Sequence, residues 1–196
     1  MSRNSAVLPL NERKMDWFFI IFFGLFAFTS LAADLVNAVS HPAPGSTYFW
    51  ANATYELYAK GNDPLLVANP EWLRAMTFLS AFVFGPFYIL MVVAFAKGWN
   101  RIRPWAIFYA GMIIESMIVL VYTEFKGEAA LFAQMAHELK SASELAAAGL
   151  SADLKVMNPA KFLAFNLPYA VVPLLLAIRM WRPKPFSAEK LKESDL

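Results

Sequence analysis

Two carboxyl groups stand inside otherwise apolar runs of this chain: Asp34 in "SLAADLVNAV" and Glu115 in "AGMIIESMIVLV". An acid in hydrocarbon costs about 2.5 to 3.5 kcal/mol on insertion scales, so each needs a partner, a water-filled cavity or a proton. Such acids do two kinds of chemistry: they hold a cation, or they move a proton. Polar side chains in the other apolar runs lie at a matching depth. Thr77 and Ser80 stand roughly 8 and 12 Å into their run, and Asn166 is similarly shallow in the last one. Each also admits a structural reading. Ser, Thr and Asn bond neighbouring helices, Asp34 is close enough to the end of its run to meet water, and Glu115 can stand protonated against a tyrosine or a carbonyl. His41 and His137 fall in polar stretches without ligand spacing, Cys is absent, and no nucleotide loop, zinc motif or nucleophile elbow is present. No metal and no cofactor are expected.

The elements that must position these groups are membrane helices. With 59% hydrophobic residues among 196, the chain is too apolar for one ordinary soluble core. The apolar residues fall into four blocks, about Met15 to Val39, Trp72 to Gly98, Pro104 to Phe125 and Lys161 to Trp181. Each is long enough to cross about 30 Å of hydrocarbon at about 1.5 Å per residue. The first retains Trp17 at its entry and exceeds the apolar region of a signal peptide. The expected fold is an all-α membrane protein, a four-transmembrane-helix bundle over residues 15–181 with a short segment 1–14 before it and a polar, mobile tail 182–196 after it. Glu115, 11 residues beyond Pro104, would then lie about 17 Å along the third helix, near mid-membrane.

Basic residues set the orientation. Arg3, Arg13 and Lys14, then Lys97, Arg101 and Arg103, then Arg179, Arg182, Lys184, Lys190 and Lys192 place both termini and the second turn in the cytoplasm. Two long outer loops follow. The first carries the aromatic run "STYFWANATYELYAK", suited to a headgroup-level segment or a lid, and the second an alanine-rich surface helix. Pro86, Pro168 and Pro173 each remove a backbone hydrogen bond from a span and can open a pocket between helices. The net charge of +2 with its bases at one face points away from nucleic acid. Localisation is integral and multi-pass: an internal membrane such as the endoplasmic reticulum in a eukaryote, the cytoplasmic membrane in a bacterium. The Asn52-Ala53-Thr54 sequon has meaning only in the former.

The stretch "LYAKGNDPLLVANPEWLRAMTFLSAFVFGPFYILMVVAFAKG", with "DLVNAV" before it and "PYAVVPLLL" after it, resembles the EXPERA-domain family in its sigma-two-receptor branch. That resemblance implies that Asp34 is a counter-ion for cationic amphiphiles and that Asp63 of the Asp-Pro step supports it, the two acids sharing a proton. "FNLPYAVVP" resembles instead the sterol-isomerase branch, with Asn166 in place and Tyr169 where that branch has Trp. The isomerase chemistry implied there protonates one alkene carbon and removes a proton from a neighbour, through a carbocation.

Departures from the family weigh between the two. Ser30 stands where the isomerase branch has His, Thr77 near where it has an acid, and Ser80 near where the receptor branch has one. Glu115 is a candidate replacement, and Glu124 in "YTEF" resembles a Thr-Glu pair of the isomerases. The favoured expectation is a membrane protein binding a sterol-like or cationic amphiphilic lipid through Asp34, Asp63, Thr77, Ser80, Glu115, Asn166 and Tyr169. The alternative is a sterol double-bond isomerase with Asp34 and Glu115 as its acid–base pair, Asn166 polarising, and Tyr169 and Trp72 packing on the carbocation. A scaffold for a membrane partner is a third reading. The family likeness also makes a homodimer possible, although no small-residue interface motif marks one.

Overall fold

The computed structural model describes residues 7–40, 45–138 and 153–187. His41, the alanine-rich stretch from 139 to 152 and the tail from 188 lie outside them, as does the side chain of His137. Four helices are long and apolar enough to cross a membrane: α1 (Lys14–Val39), α4 (Glu71–Lys97), α5 (Asn100–Lys126) and α7 (Pro159–Arg179). Between α1 and α4 lie two short helices, α2 (Phe49–Thr54) and α3 (Pro64–Ala68), and after α5 comes α6 (Ala129–Glu138). The chain is thus an integral, multi-pass helical membrane protein, and the four spans match the apolar blocks of the sequence to within a few residues.

The bundle is built from two pairs. Helix α1 packs along α4, α5 packs along α7, and contact between the pairs is sparser. At the end of the bundle that carries the termini, large aromatic and aliphatic side chains close the gap. Phe23, Tyr88, Phe95 and Met91 are fully buried there, with Tyr109 set edge-on to Tyr88 at 5.5 Å. Such ring pairs add about 0.5 to 1.5 kcal/mol beyond their burial. Outward faces are equally apolar: Trp17, Ile21, Leu25 and Phe28 form an exposed stripe on α1, as lipid contact requires.

At the opposite end the helices depart from regular winding. Single π turns occur at Ser30–Asp34 in α1, Ser80–Phe84 in α4 and Tyr55–Ala59 after α2. In α4 the cause is in the sequence. Pro86 has no N–H to give and its ring crowds the turn behind it, and the Gly85 N–H bonds back to Ser80 O in the wider turn. In α7 the helix breaks at Leu167, ahead of Pro168, while Pro173 is carried inside the second segment. Both breaks lie beside the cavity described below.

The tail is not mobile throughout. As far as Ser187 it folds back against the start of the chain: Leu8 N donates to Phe186 O at 2.9 Å, and Phe186 N donates to Asn100 Oδ1 at 3.1 Å. Phe186 is buried with the guanidinium of Arg13 at 5.1 Å and that of Arg179 at 5.4 Å from its ring centre. The same two arginines meet Asp16, which is wholly buried; Arg179 Nη2 lies 3.0 Å from its Oδ1, and Arg13 bonds its Oδ2. Removing one member of a buried ion cluster strands the others. Asp16→Ala is therefore expected to lower stability by about 3 kcal/mol, read as a fall in melting temperature in detergent. An unchanged melting temperature would mean that the cluster holds nothing together.

Candidate functional site

The half of the bundle away from the termini holds a partly open cavity of about 310 Å³, lined mainly by apolar side chains including Phe28, Trp50, Leu57, Leu73, Met117 and Leu120. Its cover is the loop between α1 and α4. Trp50, Thr54, Leu57, Tyr58 and Leu66 all face it, so part of the aromatic run forms a folded cover, the lid, while Tyr48 and Phe49 of the same run stay exposed. The lid is fixed at both ends. Asn69, left-handed at φ 47°, caps α3 and donates through Nδ2 to Asn37 O at 3.1 Å and Ser40 O at 2.9 Å. Behind it, Val156 N bonds Glu124 O at 3.0 Å and Met157 N bonds Asn62 O at 2.9 Å. Gly127 makes this return possible, because a Cβ there would lie 2.3 Å from Asp153 O.

Two polar clusters interrupt the apolar wall. The first is Asp34. Ser80 Oγ donates to its Oδ2 at 2.6 Å, and Ser30 Oγ lies 3.3 Å from the same oxygen and 3.0 Å from Ser80 Oγ. Ser30, Asp34 and Ser80 belong to the two facing π turns, whose wide winding aims all three side chains at one point. Among the described residues no hydrogen bond reaches Asp34 Oδ1.

The second cluster hangs from the lid. Asp63 caps α3, accepting from Leu66 N at 2.8 Å on Oδ1, with Pro64 at the first helical position. Tyr58 donates its hydroxyl to Asp63 Oδ2 at 2.8 Å and accepts from Asn166 Nδ2 at 2.6 Å, so one phenol links lid to α7. Asn166 Nδ2 also bonds Phe162 O at 2.9 Å. Burial, with the neighbouring Asp63 charge, pushes the Tyr58 hydroxyl above the usual phenol range, and it stays a donor.

Glu124 of α5 completes this cluster. It is fully buried, neither carboxyl oxygen receives a donor from another group, and its neighbour in hydrogen-bond range is the Asp63 carboxyl. Two carboxyls buried side by side favour one shared proton over two charges. Burial raises the Asp63 pKa above its usual range, with the bonds from Glu124, Leu66 and Tyr58 opposing. An acid whose folded pKa is raised stabilises the fold fully below its unfolded pKa and loses that contribution as pH rises through the folded value. The stability margin of wild type over Asp63→Asn should accordingly be larger near about pH 4.5 than near about pH 8. Parallel melting curves for the two proteins across that range would contradict the shared proton.

The sequence expectations divide cleanly on this geometry. Asp34, Asp63, Thr77, Ser80, Asn166 and Tyr169 all line the one cavity. Thr77 spends its hydroxyl on Arg74 O at 3.0 Å, and Tyr169 stacks on Phe26 at 4.1 Å while its hydroxyl meets Thr29. Glu115 is not brought to them. It is exposed on the outside of α5, and Trp72 lines the same outer groove rather than the cavity. The reason is phase: Glu115 and Glu124 are nine residues apart, about 900° at 100° per residue, and so point to opposite faces. Ile113, Met117, Leu120 and Glu124 form the inward stripe. Asp63, likewise, is paired with Glu124 and not with Asp34.

Tyr58 is the residue that sequence reasoning missed. The signal was present in "YELYAKGNDP", but Tyr58 reaches Asp63, five residues on, only because the chain turns between them after the π turn. Among the described residues no three His, Cys, Asp or Glu side chains cluster as a metal site.

No curated protein matches the chain. The family model described as EXPERA (EXPanded EBP superfamily) matches residues 49–180, a span that holds α2 to α7 and every cavity acid except Asp34. With about two-thirds of its length matched, the chain belongs to the EXPERA (EXPanded EBP superfamily) family.

Proposed function

We propose that the cavity binds a sterol-like or cationic amphiphilic molecule taken from the bilayer. The observation that carries this reading is Asp34: a carboxylate in an otherwise apolar wall, with both serine hydroxyls drawn to one oxygen and the other left open. A cation there gains the attraction of a charge in low dielectric, while its hydrocarbon body is matched by Leu73, Met117, Leu120 and Tyr169. The volume of about 310 Å³ sits at the lower end of the range for drug-sized ligands, enough for a compact ring system. Saturable binding of a radiolabelled ammonium amphiphile to the protein in nanodiscs, displaced by an unlabelled one, is the expected result. Binding that never saturates would count against the site.

A second reading is favoured by one further observation. Glu124 with Asp63 faces the same cavity as Asp34, so two proton-handling groups border one ligand. That arrangement supports a sterol double-bond isomerase. The Glu124–Asp63 pair would give its proton to one alkene carbon, the tertiary carbocation would form beside the Asp34 carboxylate, and Asp34 would accept the proton that leaves the neighbouring carbon; solvent exchange then returns a proton to the pair and takes one from Asp34, so that the sum is a moved bond. Incubation with a ring-unsaturated sterol in heavy water tests it: a shifted bond carrying deuterium supports isomerisation, and unshifted, unlabelled sterol leaves the binder.

A further inference from the structure

The cavity has a lateral neighbour. A groove on the outside of the bundle runs between the start of α4 and the second half of α5, lined by Trp72, Met76, Glu115, Ser116 and Val119, with Glu128 at its end. Met76 and Ser116 border both the groove and the cavity, so the partition is one layer of side chains. One of them is a flexible thioether and the other a small hydroxyl, neither a stiff barrier. The helices on either side belong to different pairs and make sparse contact along this stretch.

Glu115 lies in this groove about 18 Å from Arg103, half-way along the helical run Arg103–Lys126. It is exposed, and no hydrogen bond or ion pair from the described residues reaches it. An acid facing hydrocarbon at mid-membrane costs about 2.5 to 3.5 kcal/mol, and a cationic amphiphile in the bilayer is one partner, besides water or a proton, that offsets that cost at such depth. Trp72 adds an aromatic face at the outer end of the groove, its indole held by a bond from Nε1 to Glu128.

We propose that this groove is a second amine site and the membrane entrance to the cavity. A cationic amphiphile docks from the bilayer with its ammonium on Glu115 and its hydrocarbon against Val119 and Met76. It then passes between Met76 and Ser116 toward Asp34, crossing the partition with the ammonium still attracted to Glu115. The inference rests on the amphiphile reading of the cavity for its destination and on the groove alone for its docking step.

Two measurements on the full chain in nanodiscs test it. In stopped-flow binding, Glu115→Gln should slow association and dissociation of an ammonium amphiphile by a common factor of about 10, leaving Kd within about twofold and a neutral isostere unaffected. Unchanged rates, or a weaker Kd through faster dissociation alone, would overturn the entrance. A lipophilic amine bearing a diazirine should label Val119 or Trp72 in wild type and in Asp34→Asn, and lose that label in Glu115→Gln. No groove label in wild type overturns the docking site. Groove label with no label at Asn166 or Tyr169 retains the docking site and sinks the cavity reading instead.

Discussion

Asp34→Asn is expected to weaken an ammonium amphiphile by roughly 100-fold while a neutral isostere of the same shape changes by less than about threefold. The difference follows from where the charge is lost. Ser80 and Ser30 already hold Oδ2, and Asn keeps the size of the side chain and an acceptor for those hydroxyls, so the wall is preserved. What disappears is the attraction between a half-buried carboxylate and a cation drawn into the cavity, and a cation left without it bears the full cost of leaving water. A neutral ligand never drew on that attraction. Equal losses for the two ligands would mean that the substitution deforms the π-turn pocket and that Asp34 acts through structure alone.

The second large effect separates catalyst from binder. If the protein isomerises a sterol, Glu124→Gln should lower turnover by about 1,000-fold, within the range for removal of a general acid, and leave the ammonium ligand bound with little change. Gln fills the same space but brings no transferable proton, and the remaining Asp63 still caps α3 through Leu66. The loss then falls on the transition state and spares the ground state. Equal loss of turnover and of binding would place Glu124 in the packing of the lid, consistent with its buried contact to Asp63. Should wild type show no turnover at all, the same variant still reports on the lid through its effect on ligand dissociation.

Much of this architecture is legible in the sequence because the signals are local. Apolar length gives the four spans, and proline gives the break at Leu167 and the π turn ahead of Pro86. The Asp-Pro step similarly shows as a capped helix start, since Asp63 and Pro64 suit the first two positions for separate physical reasons. What remained hidden depends on phase and on distant partners. Helix α5 is apolar on all sides, with no polar stripe to reveal which face turns inward, and the mid-membrane depth of Glu115 says nothing of the face it takes. The 900° between Glu115 and Glu124 excludes both from one cavity, but only the structure shows which of them enters it.

Long-range closure was hidden in the same way. Nothing in the composition of "RPKPFS" signals that Phe186 is buried between Arg13 and Arg179, because each partner is supplied by a different end of the chain. The π turn of α1 carries no proline, and its residues Ser30 and Asp34 become a site only when Ser80 of α4 is placed opposite them. The other cavity acids, Asp63 and Glu124, lie in the lid and at the far end of α5. Neither position is related to Asp34 by any spacing in the sequence.

The most direct measurement is a structure of the protein in a lipid nanodisc with an ammonium amphiphile bound. The account predicts density in the cavity beneath Trp50 and Tyr58, its nitrogen at about 3 Å from Asp34 Oδ1 and its body along Leu120 and Tyr169. An empty cavity, with Asp34 still held by the two serines and the ligand bound elsewhere, would contradict it.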